Sequence, residues 1–205
     1  MANRDTSIDP RLLKSARKHF REHGFLEAQL SDICKDAGVT TGAVYKRYKG
    51  KEELFEAVVK DTVDSMNNIL NESQKIDPNS LSDDELIGAW TNTEEITRIW
   101  YTRLLEMKDG LEILLKCSEG TRYSQFHDQW LERMSDIDYA YLKVLQDRGL
   151  ADKSITRLEL HVMVSAMWQL YSEPILHGMT DDEVVHHCKI AGKLFDWANA
   201  MGITT

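Results

Sequence analysis

Tyr45, Lys46, Arg47, Lys49 and Lys51 place one phenol and four cations within seven residues, one residue beyond the small run Thr40, Thr41, Gly42 and Ala43. That combination binds rather than breaks bonds. Cations neutralise phosphates, a tyrosine hydroxyl can meet a phosphate oxygen, and small side chains let backbone approach base edges. Elsewhere the densest set of metal-ligating types is His186, His187 and Cys188. Adjacent residues on a helix point about 100° apart, and metal sites favour i, i+4 or loop spacing, so these three do not read as a ligand set. There is no GxSxG, HExxH, GxxxxGK or GxGxxG, and the expectation is a chain with no catalytic residues, cofactor or metal.

The basic cluster needs elements to hold it. Leu30, Ile33, Cys34 and Ala37 recur at helical spacing, leaving Ser31, Asp32, Lys35 and Asp36 outward. Gly38 can take the left-handed conformation that ends a helix, and Thr40 can cap the next one through its hydroxyl. In that second helix Val44 and Tyr48 face inward, which leaves Thr41, Gly42, Ala43, Tyr45, Lys46 and Arg47 on the outer surface. Two short helices joined by a tight turn make a helix-turn-helix. The expected DNA-binding residues are Ser31, Thr40, Thr41, Gly42, Ala43, Tyr45, Lys46, Arg47 and Lys51, the last opening a helix whose N-terminal amides suit an anion. An ordinary surface turn with solvated lysines is the competing reading.

The order Gly24-Phe25, Ile33, Ala37-Gly38-Val39-Thr40, Tyr45, Tyr48 and Lys51-Glu52-Glu53-Leu54 resembles the N-terminal signature of the TetR family of transcriptional repressors. Roughly residues 8 to 60 carry the resemblance; beyond them only the helical layout matches. Two positions depart from the pattern. Gln29 stands where relatives commonly have a capping threonine, and Ala43 lacks a hydroxyl often found there, offering an apolar contact to a thymine methyl instead.

The net charge of −9 divides unevenly, with +3 over residues 1 to 60 and −12 over the remainder. An acidic body repels DNA and a basic end accepts it, so the asymmetry orients the molecule on a duplex. Hydrophobic residues make up 42% of the chain and prolines number three, which with abundant helix formers points to an all-α protein. No apolar run approaches a membrane span and the opening MANRDTSID is polar, so a cytoplasmic chain is expected. Cys34, Cys117 and Cys188 are scattered and read as reduced, buried thiols.

In chain order, Asp9 and Pro10 signal the first helix and Gly24 its end, with Leu12, Leu13, Ala16 and Phe20 inward. Arg11, Lys14, Arg17, Lys18 and Arg21 form a basic run that either flanks DNA or is merely solvated, and Arg4 is a candidate for a minor groove. Lys51 begins a connecting helix to about Asn71, and Ser82 with Glu85 forms a capping box. Further helices are expected at about 83–107, with a restart capped by Thr91, then 110–117, 122–148, 156–177 and 181–201, the last capped by Thr180 with Glu183. The whole is about nine helices: a DNA-binding domain over 1–50 made of three, and a regulatory and dimerisation domain over 51–205.

Trp90, Trp100, Met107, Tyr123, Phe126, Trp130, Met134, Trp168 and Tyr171 are candidates to line a ligand pocket, and equally to fill a core. Residues 160–171 are apolar nearly all round and need a second covered face. Met163, Met167, Leu170, Val184, Cys188, Ala191, Leu194, Phe195 and Ala198 are therefore the expected homodimer interface, a four-helix bundle that the resemblance also implies; burial within one chain is the alternative. The expected function is a regulator, a repressor, that binds palindromic operator DNA as a homodimer and is released by an apolar or aromatic inducer. A helical small-molecule-binding or protein-interaction module without DNA binding is the alternative.

Overall fold

A computed structural model describes residues 8–91, 93–194 and 196–203. Arg4 and Phe195, singled out above, lie outside the described residues. The described part is helical throughout, without a strand: α1 (Ile8–Glu27), α2 (Leu30–Ala37), α3 (Thr41–Tyr45), α4 (Lys51–Gln74), α5 (Asp83–Gly88), α6 (Glu94–Glu106), α7 (Lys108–Lys116), α8 (Phe126–Arg148), α9 (Arg157–Leu176), α10 (Asp181–Leu194) and α11 (Trp197–Ala200). It divides into two compact units, one running to Ser65 and including Met107–His127, the other holding Met66–Glu106 and Asp128 onward.

The first unit is built around aromatic side chains. Phe20 and Phe55 are fully buried and meet edge to face with centroids 5.1 Å apart, and Phe25 joins Phe55 at 5.5 Å, the geometry that ring quadrupoles favour. Leu12, Ala16, Ile33, Val44, Leu54 and Val59 complete the core. α1 bends at Gly24, whose φ of 72° is the left-handed value that a side chain would resist. Although far along the chain, α7 belongs to this unit: Arg21 pairs with Asp109 and Glu112 at 2.8 and 3.1 Å, and the Phe25 amide donates to the Cys117 carbonyl.

In the second unit the expected 83–107 helix is two helices. α5 opens with the Ser82–Glu85 capping box, and the restart is capped by Thr93, whose hydroxyl accepts from the Ile96 amide at 3.2 Å; Thr91 does not fill that role. The helix expected from 122 starts only at Phe126, because Thr121 takes the Tyr123 amide into a turn. The final helix is interrupted before α11, which Asp196 caps through the Asn199 amide. These breaks make eleven α-helices among the described residues rather than about nine. The expected Thr180–Glu183 box is present, as is one at Thr156–Glu159.

Side-chain bonds lock the second unit where helices cross. Trp130 donates its indole N–H to the Met66 carbonyl at 3.0 Å, and buried Gln146 donates to the carbonyls of Asp152 and Ile155. α6 and α10 pack closely: a Cβ built on Gly192 would sit 2.9 Å from the Glu94 amide nitrogen. That neighbour is backbone and cannot swing aside. Alanine is the better helix former by about 1 kcal/mol, yet here the clash dominates. Gly192→Ala is expected to lower stability by about 1 to 3 kcal/mol, read as a fall of several degrees in Tm by circular dichroism.

Candidate DNA-reading head and ligand cavity

The turn from α2 to α3 is made by local chemistry. Gly38 adopts φ 65°, ψ 38°, and its amide and that of Val39 return to the carbonyls of Lys35 and Cys34. The Thr40 hydroxyl then accepts from the Ala43 amide at 3.2 Å. α2 has no side-chain cap at Gln29, so the Gln29 carbonyl takes the amides of Asp32 and Ile33 instead. Its inner face, Ile33, Cys34 and Ala37, is buried, and Ser15 ties it to α1 by donating to the Ile33 carbonyl.

Five residues are too few to hold a helix in water, and α3 is held from outside. Val44 is fully buried beneath it. At its far end the Arg47 guanidinium meets the Asp9 carboxylate at 2.5 Å and donates back to the Ala43 carbonyl at 3.1 Å. The Arg47 side chain is only 7% exposed, so it braces α3 rather than standing ready for a phosphate. Lys51 is similarly engaged: its ammonium donates to the carbonyls of Leu26 and Ala28, both at 3.0 Å, and lies 4.6 Å from the Phe25 ring centroid. Burial pulls its pKa below the ordinary lysine value. At the start of α4, the Glu53 carboxylate reaches back to the Lys49 amide. What α3 presents outward is Thr41, Gly42, Tyr45 and Lys46, with Tyr45 60% exposed, while Ser31 and Thr40 are exposed beside them and Ala43 is half-buried.

The second unit contains a cavity of about 250 Å³ bounded by Ser73, Ala89, Trp90, Thr91, Ile96, Trp100, Met134, Ile137, Asp138, Tyr141, Met167, Tyr171 and Trp197. A smaller void beside it is lined by Trp130 and Trp168. Of the expected ligand residues, Trp90, Trp100, Met134 and Tyr171 reach the main cavity and Trp130 and Trp168 only the smaller one. Met107, Tyr123 and Phe126 do not line it: they belong to the first unit, where Tyr123 meets Phe126 edge to face and lies beside Phe55 at a tilt. Missed from the sequence was Asp138. It lies four residues after Met134 and three before Tyr141, an acid on an apolar stripe, and that mismatch was its signal.

The match to the model "Bacterial regulatory proteins, tetR family" covers residues 12–58. The regulator UidR of Escherichia coli K12 is 36% identical over 62 residues, 29% of this chain; the aligned stretch spans 32% of UidR, about a third of its length. The transcriptional repressor AcnR of Corynebacterium efficiens is 25% identical over 181 residues, 87% of this chain and 84% of AcnR. Over residues 12–58 the chain is similar to the TetR family. Its fold is also that of the transcriptional regulator FadR from Bacillus subtilis, solved in complex with stearoyl-CoA, at a TM-score of 0.53 and 15% identity over 91% of this chain and 96% of that one.

The residues expected to form a dimer interface are only partly at the surface. Val184, Cys188 and Ala191 are buried inside the second unit, Met167 lines the cavity, and Met163, Leu170 and Ala198 are half-buried. The apolar side chains left in the open are Leu158 and Val162 on α9 and Val185, Ile190 and Leu194 on α10. The stripe read from spacing was therefore the inward one, packed on α6. Of His186, His187 and Cys188, His187 bonds the Leu170 carbonyl, Cys188 faces inward and His186 is exposed. All three cysteines are buried and unpaired with one another, and burial pushes each thiol's pKa up. Among the described residues no helix is long and apolar enough to cross a membrane.

Asp138 has neither a hydrogen bond nor an ion pair among the described residues, and loss of water pushes its pKa up to about 7. The ordinary aspartate value is about 3.9, so between about pH 4 and 7 the folded chain holds a proton that the unfolded chain has lost. Stability therefore falls as pH rises through that window, and the penalty is complete above about 7. Asp138→Asn removes the penalty. Its Tm is expected to exceed that of the wild type by several degrees at pH 8, with the difference closing by about pH 4.

Proposed function

We propose that this chain is a ligand-responsive transcriptional repressor that binds palindromic operator DNA as a homodimer, one α3 per half-site in the major groove. The observation that carries this is the braced presentation of α3: small residues first, an exposed tyrosine next, and the whole fixed by a buried brace at its end. Such a surface is shaped to enter a groove, with Tyr45 and Lys46 on phosphate and the Thr41–Gly42 backbone against base edges. The names of UidR and AcnR support the regulatory reading, and AcnR that of repression. Neither a catalytic role nor a membrane is part of it, and the compartment is the cytoplasm, where operator DNA is found.

The second copy covers the exposed face of α9 and α10. Leu158, Val162 and Ala166 recur at four-residue steps on α9 and Ile190 and Leu194 on α10, and a two-fold axis turns each such face upon its own image. The small molecule occupies the 250 Å³ cavity. α4 supplies Lys51 to the first unit and cavity-lining Ser73 to the second, so one helix is common to both functions. Release of DNA then requires that ligand bind the DNA-free form more tightly, with a coupling of about 1 to 3 kcal/mol.

DNA from upstream of the chain's own gene, titrated by fluorescence anisotropy at increasing salt, is expected to lose affinity steeply. About six phosphate contacts correspond to a log–log slope near −5, and a flat response overturns the reading. Tyr45→Ala and Lys46→Ala should each weaken binding with Tm unchanged. Lys51→Ala is a poor substitute for either, because it removes the bonds to the Leu26 and Ala28 carbonyls and lowers Tm as well.

A further inference from the structure

The cavity of the second unit is mostly apolar, yet two polar groups at its wall have no partner among the described residues. One is the Asp138 carboxylate, half-buried at the cavity wall, with no hydrogen bond or ion pair among the described residues. The other is the Trp90 indole N–H, buried without an acceptor on a side chain only 7% exposed. Polar groups withdrawn from water in folded proteins are nearly all satisfied, so each exception calls for a partner, and a few convergent polar groups on an apolar wall are what a ligand site presents. The remaining wall is rich in rings: Trp90 and Trp197 meet at 6.0 Å, Trp100 and Tyr171 at 6.4 Å. Trp100 already takes a cation on its ring, from Arg103 at 5.7 Å.

We infer that this cavity binds an organic cation: an apolar or aromatic body among Trp90, Trp100 and Trp197, and a positive centre against Asp138. A quaternary or protonated amine answers both the carboxylate and the electron-rich ring faces. A hydrogen-bond acceptor elsewhere on the molecule completes the Trp90 N–H. A neutral apolar ligand leaves the carboxylate as uncompensated as an empty cavity does, and an anion adds like-charge repulsion. Asp138 is thus the residue that selects sign of charge, and the rings select shape. The assignment rests on the proposal that this cavity is the inducer site of a regulator, and it sharpens the expected apolar or aromatic inducer into a cationic one.

The test uses the full-length protein without DNA and three probes. Phenyltrimethylammonium and tert-butylbenzene have the same shape and differ by a nitrogen cation in place of carbon; stearoyl-CoA supplies an anionic amphiphile. Binding is read by quenching of tryptophan fluorescence. The cation is expected to half-saturate at a concentration at least tenfold below that of its carbon isostere. In Asp138→Asn that preference should fall to within about twofold, with the neutral probe's affinity kept, and Asp138→Glu should restore part of it. The assignment is overturned by equal affinity for the two isosteres, by an undiminished preference in Asp138→Asn, by no cation binding at millimolar concentration, or by stearoyl-CoA as the tightest of the three.

Operator binding is measured separately on the same preparation. Cation selectivity with no salt-dependent DNA binding upholds the cavity assignment and overturns the regulator reading. Steep, salt-dependent DNA binding with no preference between the isosteres does the reverse.

Discussion

The contact between Arg47 and Asp9 is what holds a five-residue helix, the proposed reading surface, in a defined shape. A helix of that length has more unsatisfied ends than internal bonds, and left alone it would exchange with coil. Three restraints prevent this: the Thr40 cap at the start, Val44 sunk in the core, and a largely buried guanidinium at the finish. The guanidinium is the most demanding of the three. Buried without its carboxylate it would be a strongly unfavourable charge, so α1 and α3 are held in one register or the head does not pack. Lys51 performs a related task from α4, closing the open carbonyls after the Gly24 bend. The basic head is therefore less available to DNA than its formal charge implies, because two of its cations are used to fix the shape that the others present.

This explains which parts of the site were legible from the amino-acid order. Gly38, Thr40 and the Leu30–Ala37 stripe act through neighbours within a turn or two, so residue type and spacing were enough to place the turn and its cap. Nothing local separates Arg47 from Lys46, since the carboxylate that claims Arg47 comes from 38 residues earlier in the chain. The helix breaks near 90 and at Asp196 were hard to read for a different reason. Two threonines, Thr91 and Thr93, are each placed to cap, and only packing decides between them. The stripe on α10 was real, but periodicity identifies a buried face without saying whether the burial is against α6 or a second chain. Here α6 takes it, through Val184, Cys188 and Ala191.

Aromatic residues in the body posed the same ambiguity. Trp90, Trp100 and Tyr171 border a cavity whereas Tyr123 and Phe126 fill the core of the other unit, and all sit at helical spacing. The informative residue was the one that broke the pattern. An acid among Met134, Ile137 and Tyr141 is unfavourable for folding, and local rules fail most often where a protein does something besides fold.

That cost has a thermodynamic counterpart. In the free chain Asp138 is poised near neutrality because it is short of water and has no partner. A cation entering the cavity supplies the partner, and the free energy lost in withdrawing the carboxylate from water is recovered only in the bound state. Anything that binds the folded form alone stabilises it by RT ln(1 + [L]/Kd), so the unit least satisfied when empty has the most to gain from its ligand. Ser73 brings α4 to the wall of that cavity and Lys51 sets the same helix against the Phe25 ring and the Leu26 and Ala28 carbonyls of the head, so under the proposed function a change in α4 on binding would bear on the α1 to α3 frame. A signal then needs no new contact at the DNA. It needs only that α4 has two settings, one matched to an occupied cavity and one to a head seated in a groove.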